Sequence, residues 1–130
     1  MIISALLSPK GPPARTLRAW IEGAFELIVS SSLLAELERA LAYPKLRKHI
    51  TPAEAGRVID LLRRAATLRP DPESSPSVRS PDPGDDYLIA LAEAEDAILV
   101  SGDGHLLGLS KDLPIYRPAG FLQLLKRRGT

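Results

Sequence analysis

Short apolar runs alternate with helical patterns along this chain, and this alternation constrains the fold more than any other feature. Residues 97–100 (AILV) form a continuous apolar run, typical of a strand in a parallel sheet that is covered on both faces. Two further strands are predicted at residues 25–29 and 113–116. Helical spacing, caps and proline positions predict helices over residues 14–23, 30–42, 51–66, 84–94 and 118–128. Ser30, Ser31 and Ser32 offer N-cap oxygens for the second of these helices, which Pro44 ends, and TPAE at residues 51–54 is a capping-box pattern that opens the third. Residues 70–83 contain five prolines and are expected to form an extended connection. The pattern predicts an α/β fold, specifically a three-layer α/β/α sandwich with a central parallel sheet.

Composition limits the class of protein. With 130 residues, 45% of them apolar, the chain is expected to form one domain over residues 1–130. No apolar run reaches the length needed to cross a bilayer, and the amino terminus lacks a signal-peptide layout, so a cytoplasmic location without membrane contact is expected. The chain has no cysteine, which excludes disulfides, thiolate zinc sites and cysteine nucleophiles.

Several acids stand where a parallel sheet places its ligand site. Ligands bind at the carboxyl ends of such strands, and Asp103 follows the apolar run at residues 97–100 through Ser101 and a flexible glycine. Glu36 borders the apolar stripe of the helix after the preceding strand. Asp85 shares a helix face with the apolar residues three, four and seven positions later, so it is expected to point towards the core edge, and Asp86 towards water.

Each of these acids also has an ordinary structural explanation. Asp103 fits a solvated turn or a helix cap, Glu36 a helix salt bridge, and Asp85 an acid that complements a helix dipole. If three or four carboxylates converge at one sheet edge, however, they form a site suited to Mg²⁺ or Mn²⁺. Phosphodiester hydrolysis is the natural reaction of such a site.

Positive charge is concentrated in the first half of the chain, although the net charge is only +1. Residues 1–65 carry ten Lys or Arg against six acids, and residues 66–130 carry seven against ten. Basic side chains in the first half are candidates for RNA phosphate contacts, which position a strand without reading its sequence. The alternative is an ordinary solvated charge set. The candidates are Lys10, Arg15, Arg18, Arg39, Lys45, Arg47 and Lys48.

Four segments, taken together and in order, resemble the PIN domain. They are SSLLAEL at residues 31–37, YPKLR at 43–47, DPGDD at 82–86 and LVSGD at 99–103. The resemblance is closest to the VapC-like branch described as toxin components of toxin-antitoxin systems. It implies a metal-dependent endoribonuclease with an RNA substrate, a homodimeric state and an antitoxin partner that blocks the site.

The resemblance also assigns residues motif by motif. It makes Glu36, Asp85 and Asp103 the catalytic and metal-binding acids for Mg²⁺ or Mn²⁺, with Asp86 in place of Asp85 if the register shifts by one. Ser101 matches the small hydroxyl residue that accompanies the last acid. His105 stands where many relatives carry another acid.

The main departure from the family pattern is at the amino terminus. PIN domains begin with a central strand that ends in an Asp-x-Asn motif, whereas residues 1–8 resemble the helix that follows this motif. The first strand and its aspartate are therefore expected to be absent from the given sequence, and the aspartate is expected to lie a few residues upstream of Met1. A misassigned start is one hypothesis. A missing acid favours the alternative function, a non-catalytic PIN-like module that binds RNA or protein. A small phosphatase or receiver-like domain would need an aspartate after its first strand, which this chain does not show.

Overall fold

A computed structural model describes residues 2–73, 76, 85–111 and 113–128 of the chain. These residues form a mixed α/β structure with small parallel sheets. In chain order the elements are α1 (Ile2–Leu7), α2 (Pro12–Ile21), β1 (Ile28–Val29), α3 (Ser31–Leu41), α4 (Pro44–Arg47), α5 (Pro52–Ala65), β2 (Thr67–Leu68), α6 (Asp86–Ala94), β3 (Leu99–Val100), α7 (Gly104–Leu107), β4 (Ile115–Tyr116) and α8 (Pro118–Arg128).

The chain divides into two compact units. Residues 19–71 form one of them, called the inserted unit here. Residues 1–18 and 72–130 form the other, called the terminal unit. Each unit contains one pair of parallel strands together with helices that bury apolar side chains.

In the inserted unit, β1 and β2 pair in parallel and helices α3 and α5 contact each other. The pairing joins Ile28 to Thr67 and Val29 to Leu68. Helix α3 buries Leu34, Leu37 and Leu41, which recur at the three- and four-residue spacing of a helix face, and α5 buries Ala55, Ile59 and Leu62 in the same way. Burial of these two stripes is therefore the main apolar contribution to the unit.

The starts of α3 and α5 are fixed by side-chain caps that the sequence predicted. The Ser30 hydroxyl accepts a hydrogen bond from the amide of Leu33 at 3.2 Å. At α5, the Thr51 hydroxyl accepts from the Glu54 amide at 3.1 Å while the Glu54 carboxylate accepts from the Thr51 amide at 3.4 Å, so the predicted capping box is confirmed.

In the terminal unit, β3 and β4 pair in parallel, with Leu99 opposite Ile115 and Val100 opposite Tyr116. Helix α6 packs against β3 and α8 packs against β4. Ile89 of α6 is 1% exposed and Phe121 of α8 is buried, so each helix contributes a core side chain. The predicted strands at both positions and the helix over 118–128 are confirmed, although each strand pairs over only two residues.

Three elements were not predicted from the sequence. Strand β2 follows directly on α5 and has an exposed Leu68, so no apolar run marks it. Pro44 ends the α3 pattern as predicted, but it also begins the single-turn helix α4, because proline is tolerated in a first turn. Helix α7 is a single turn beginning at Gly104. Most of the predicted extended connection at residues 70–83 lies outside the described residues.

None of the helices in the described ranges is long and apolar enough to span a bilayer.

A matched pair of leucine truncations tests the assignment of the core. Leu62 is 1% exposed and Leu68 is 60% exposed, although they lie only six residues apart. Leu62→Ala is expected to lower the free energy of unfolding by about 3 kcal/mol because it leaves a cavity between packed helices. Leu68→Ala is expected to change it by less than about 0.5 kcal/mol. Urea unfolding followed by circular dichroism measures both, and equal effects would contradict the described packing.

Candidate metal-binding residues

Asp103 lies directly after β3 in a turn that Ser101 holds. The Ser101 hydroxyl accepts a hydrogen bond from the Asp103 amide at 3.0 Å, and the Ser101 amide donates to the Tyr116 carbonyl at 3.0 Å. The Asp103 carbonyl in turn accepts from the Leu107 amide at 3.0 Å and so begins α7. The Asp103 residue is exposed. A paired strand, a hydroxyl and a helix turn thus fix the backbone of this acid while its side chain reaches solvent.

Asp85 is the residue at which α6 starts. Its side chain makes no capping hydrogen bond to the helix, and its Oδ2 atom is buried. Asp86, the first helical residue, has intermediate exposure, as does Asp85. The buried oxygen agrees with the expectation that Asp85 points towards the core edge.

The connection between α6 and β3 indicates that Asp85 and Asp103 lie towards the same end of the terminal unit. Helix α6 contacts β3 and is joined to it by a short link in which Asp96 has a left-handed backbone, with φ of 50°. A helix that reverses directly into the strand it packs against runs antiparallel to that strand. The first residue of the helix is therefore at the strand's carboxyl end.

Glu36 lies on α3 in the inserted unit. Its carboxylate forms an ion pair with Arg39, one turn further along the helix, and its side chain is 46% exposed. Ser32 lies one turn before Glu36 on the same face. The expected salt-bridge partner of Glu36 is therefore present, and Arg39 competes with any cation for this carboxylate.

The chemistry of these acids fits a hard divalent cation, because carboxylate oxygens are the donors that Mg²⁺ and Mn²⁺ prefer. Among residues 2–73, 76, 85–111 and 113–128, no group of three or more His, Asp or Glu side chains could hold a metal ion. Residues 82–84 and the side chain of His105 lie outside the described part of the chain. Glu36, Asp85 and Asp103 are all described residues, so these three acids do not form a complete metal-ligand set in the described part of the chain.

The candidate RNA-contacting residues are all exposed. Two have other contacts: Arg18 Nη1 donates to the Pro9 carbonyl at 2.9 Å, and Arg39 pairs with Glu36. Lys45 and Arg47 belong to the single-turn helix α4, and Lys48 ends it. The exposed candidates are Lys10, Arg15, Arg18, Arg39, Lys45, Arg47 and Lys48.

A small open cleft lies at the opposite end of β3 from Asp103. It has a volume of about 220 Å³ and is lined by mainly apolar residues, including Ile89, Leu99 and Ile115, together with Glu93 and Asp96. None of the three candidate acids lines it.

Asp71 is an acid at a strand end that was not predicted from the sequence. It follows β2 by three residues, and its Oδ2 accepts a hydrogen bond from the Ser32 amide in the first turn of α3 at 3.1 Å. Sequence reasoning missed it because β2 itself was not predicted. Desolvation works against ionisation, but hydrogen bonds from the Ser30 and Ser32 hydroxyls and from the Ser32 amide outweigh it and hold the pKa of Asp71 below its ordinary value of 3.8.

The lowered pKa of Asp71 predicts a pH-dependent contribution to stability. Because the folded-state pKa lies below the unfolded one, the contribution is fully present above pH 3.8 and is lost as pH falls through the folded-state value. Asp71→Asn is therefore expected to lower the unfolding free energy most near neutral pH, and progressively less in acid. Urea unfolding at a series of pH values from 7 down to below 3.8 measures the difference in unfolding free energy between wild type and variant. Glu73→Gln is the control for loss of an exposed acid nearby. A wild-type-to-variant difference that stays constant with pH would contradict it.

Comparison with known families identified a match. The family model described as PIN domain matches residues 1–105, a span that includes Glu36, Asp85 and Asp103 and stops before β4 and α8. No curated protein and no solved structure gives a significant match.

Proposed function

The chain belongs to the PIN-domain family, whose members are typically nucleases that bind divalent metal, and from this premise we propose that it is a metal-dependent endoribonuclease. The observation that carries the proposal is the extent of the match, which covers residues 1–105 and all three candidate acids. We further propose that it acts as the toxin component of a toxin-antitoxin system.

The proposed architecture is the three-layer α/β/α sandwich predicted from the sequence. Its support is the parallel pairing of both described strand pairs and the helices that contact the strands. Parallel strands are usually covered on both faces, because crossover helices pack on them.

We assign Glu36, Asp85 and Asp103 to binding of Mg²⁺ or Mn²⁺, with Asp86 replacing Asp85 if the register is shifted. A bound ion of this kind supplies Lewis-acid activation of water and stabilises charge that develops at a phosphorus centre. Asp103 offers an exposed carboxylate on a backbone that Ser101 restrains. Asp85 keeps one carboxylate oxygen buried and is fixed at the start of α6.

The proposed substrate is single-stranded RNA, bound through its phosphates. Lys45, Arg47 and Lys48 support this, since three exposed cations within four residues form the densest positive segment of the inserted unit. The same family relationship underlies our proposals of a homodimer, of an antitoxin that blocks the acids, and of action on RNA in the cytoplasm.

Cleavage of RNA is the first test of the proposal. We expect the full chain to cleave a generic single-stranded RNA in the presence of Mn²⁺ and not in the presence of a chelator. Asp103→Asn is expected to lower the rate by more than about 100-fold, since loss of a ligand should exceed the 10- to 100-fold cost of losing an outer-shell partner. Fluorescence release from a doubly labelled RNA measures the rate.

Asp96→Asn is the matched control for this test. It makes the same isosteric change in an exposed acid at the other end of β3, and asparagine tolerates the left-handed backbone found there. Equal losses in both variants would point to damage of the fold. If RNA were bound without any cleavage, the non-catalytic binding module would be the better description of the chain.

The salt dependence of RNA binding tests the role of α4. Replacing Lys45, Arg47 and Lys48 by Gln together is expected to weaken binding and to reduce the slope of log affinity against log salt by about 2, at roughly 0.7 per phosphate contact on a single strand. Fluorescence anisotropy with labelled RNA at several salt concentrations measures this slope. The same triple change at Lys126, Arg127 and Arg128 of α8 is the charge-matched control. A change of slope confined to the α8 variant would place the RNA elsewhere.

A further inference from the structure

The beginning of α3 is held by two neighbouring acceptors. Ser30 is 0% exposed, and its hydroxyl accepts from the Leu33 amide at 3.2 Å. Asp71 accepts from the Ser32 amide at 3.1 Å, and the side chains of Ser30 and Ser32 contribute to lowering its pKa. Two successive amides of the first helical turn, which a helix leaves without internal partners, are thus satisfied from outside it.

Strand pairing fixes the place of Asp71. The Thr67 amide donates to the Leu27 carbonyl at 2.8 Å and the Arg69 amide donates to the Val29 carbonyl at 2.9 Å. The chain leaves this ladder only two residues before Asp71. Because β1 runs directly into α3, the same register that pairs the two strands brings Asp71 to the start of the helix.

Glu36 depends on the position of this helix more than on its own contacts. Its described partner is Arg39, whose side chain is 65% exposed, and an exposed ion pair of this kind orients a carboxylate only weakly. Ser32, which Asp71 binds, lies one turn before Glu36 on the same face of α3. A shift or fraying of the first turn would therefore displace the Glu36 carboxylate.

We propose that Asp71 is a positioning residue, which locks the first turn of α3 through Ser30 and Ser32 and thereby sets the place of the Glu36 carboxylate for binding a divalent cation. The proposal rests on the function proposed above, since it takes Glu36 to be a metal ligand. Asp71 itself is not a ligand in this scheme.

The charge state of Asp71 supports the arrangement. With a pKa below the ordinary value of 3.8, Asp71 is ionised at neutral pH. A carboxylate at a helix amino terminus interacts favourably with the positive end of the helix dipole, and its hydrogen bonds are stronger than those of a neutral acceptor.

A double-mutant cycle on the full chain tests the proposal, with Mn²⁺ alone as the probe. The free Mn²⁺ concentration is read by electron paramagnetic resonance for wild type, Asp71→Asn, Glu36→Gln and the double variant, at a temperature where circular dichroism shows all four to be folded. We expect Asp71→Asn to weaken Mn²⁺ affinity by about tenfold, the lower end of the range for residues that support a ligand. In the Glu36→Gln background, we expect Asp71→Asn to have no further effect.

Amide hydrogen exchange gives a readout that does not involve metal. The amides of Ser32 and Leu33 are expected to exchange faster in Asp71→Asn than in wild type, while the first-turn amide of Glu54 in α5 is unchanged. Glu73→Gln, which removes an exposed acid two residues beyond Asp71, is the matched control and is expected to change neither exchange nor Mn²⁺ affinity.

The outcomes separate this inference from the proposed function. If Glu36→Gln bound Mn²⁺ as tightly as wild type, the ligand assignment would be wrong and the positioning role would fall with it. If Glu36→Gln bound weakly but Asp71→Asn bound normally, only the positioning role would be overturned. Equal effects of Asp71→Asn with and without Glu36 would also overturn it, because they would show an effect that does not pass through Glu36.

Discussion

Parallel pairing of very short strands is the constraint on which the described structure depends. Each pair joins two residues to two residues, so its direct hydrogen bonding is small. The pairing nevertheless determines where the strands end, because parallel strands have their carboxyl ends at the same edge of the sheet. At that edge the chain either enters a helix or turns. The helix α3 begins at such an edge after β1, and Asp103 stands at one after β3. The position of each candidate acid is thus set by a strand end or by the first turns of a helix that adjoins one.

The helices supply most of the packing that holds these strand pairs in place. Helices α3 and α5 present apolar stripes in the inserted unit, and α6 and α8, which contact β3 and β4, bury Ile89 and Phe121 in the terminal unit. Polar groups then refine the ends of these elements. Ser30, Thr51 and Ser101 each use a hydroxyl to accept a backbone amide hydrogen bond near a helix start, where such amides lack partners within the helix.

Elements with strong hydrophobic periodicity or a clear capping residue could be predicted from the sequence. The capping box at Thr51 and the Ser30 cap stand as predicted, because each depends on interactions among residues close in the chain. The strand before Ser101 also stands as predicted, because a continuous apolar run marks it, although its pairing partner lies sixteen residues away. Strand β2 and the contacts of Asp71 could not be predicted in this way. A two-residue strand has no period to detect, and the hydrogen bond between Asp71 and Ser32 joins residues 39 positions apart. The ion pair between Glu36 and Arg39 could be predicted from the sequence, because residues three positions apart are neighbours on a helix. The burial of one Asp85 oxygen could not, because it depends on tertiary packing.

The left-handed backbone at Asp96 has a consequence for how this chain can vary. With φ of 50°, the residue reverses the chain between α6 and β3, and only glycine, asparagine and aspartate adopt that conformation at little cost. Position 96 is exposed and lies outside the proposed chemistry, yet its evolutionary freedom is set by backbone geometry. Among homologues we therefore expect only these three residues at this position. Conservation of position 96 would then reflect the backbone conformation of the turn and would say nothing about the substrate.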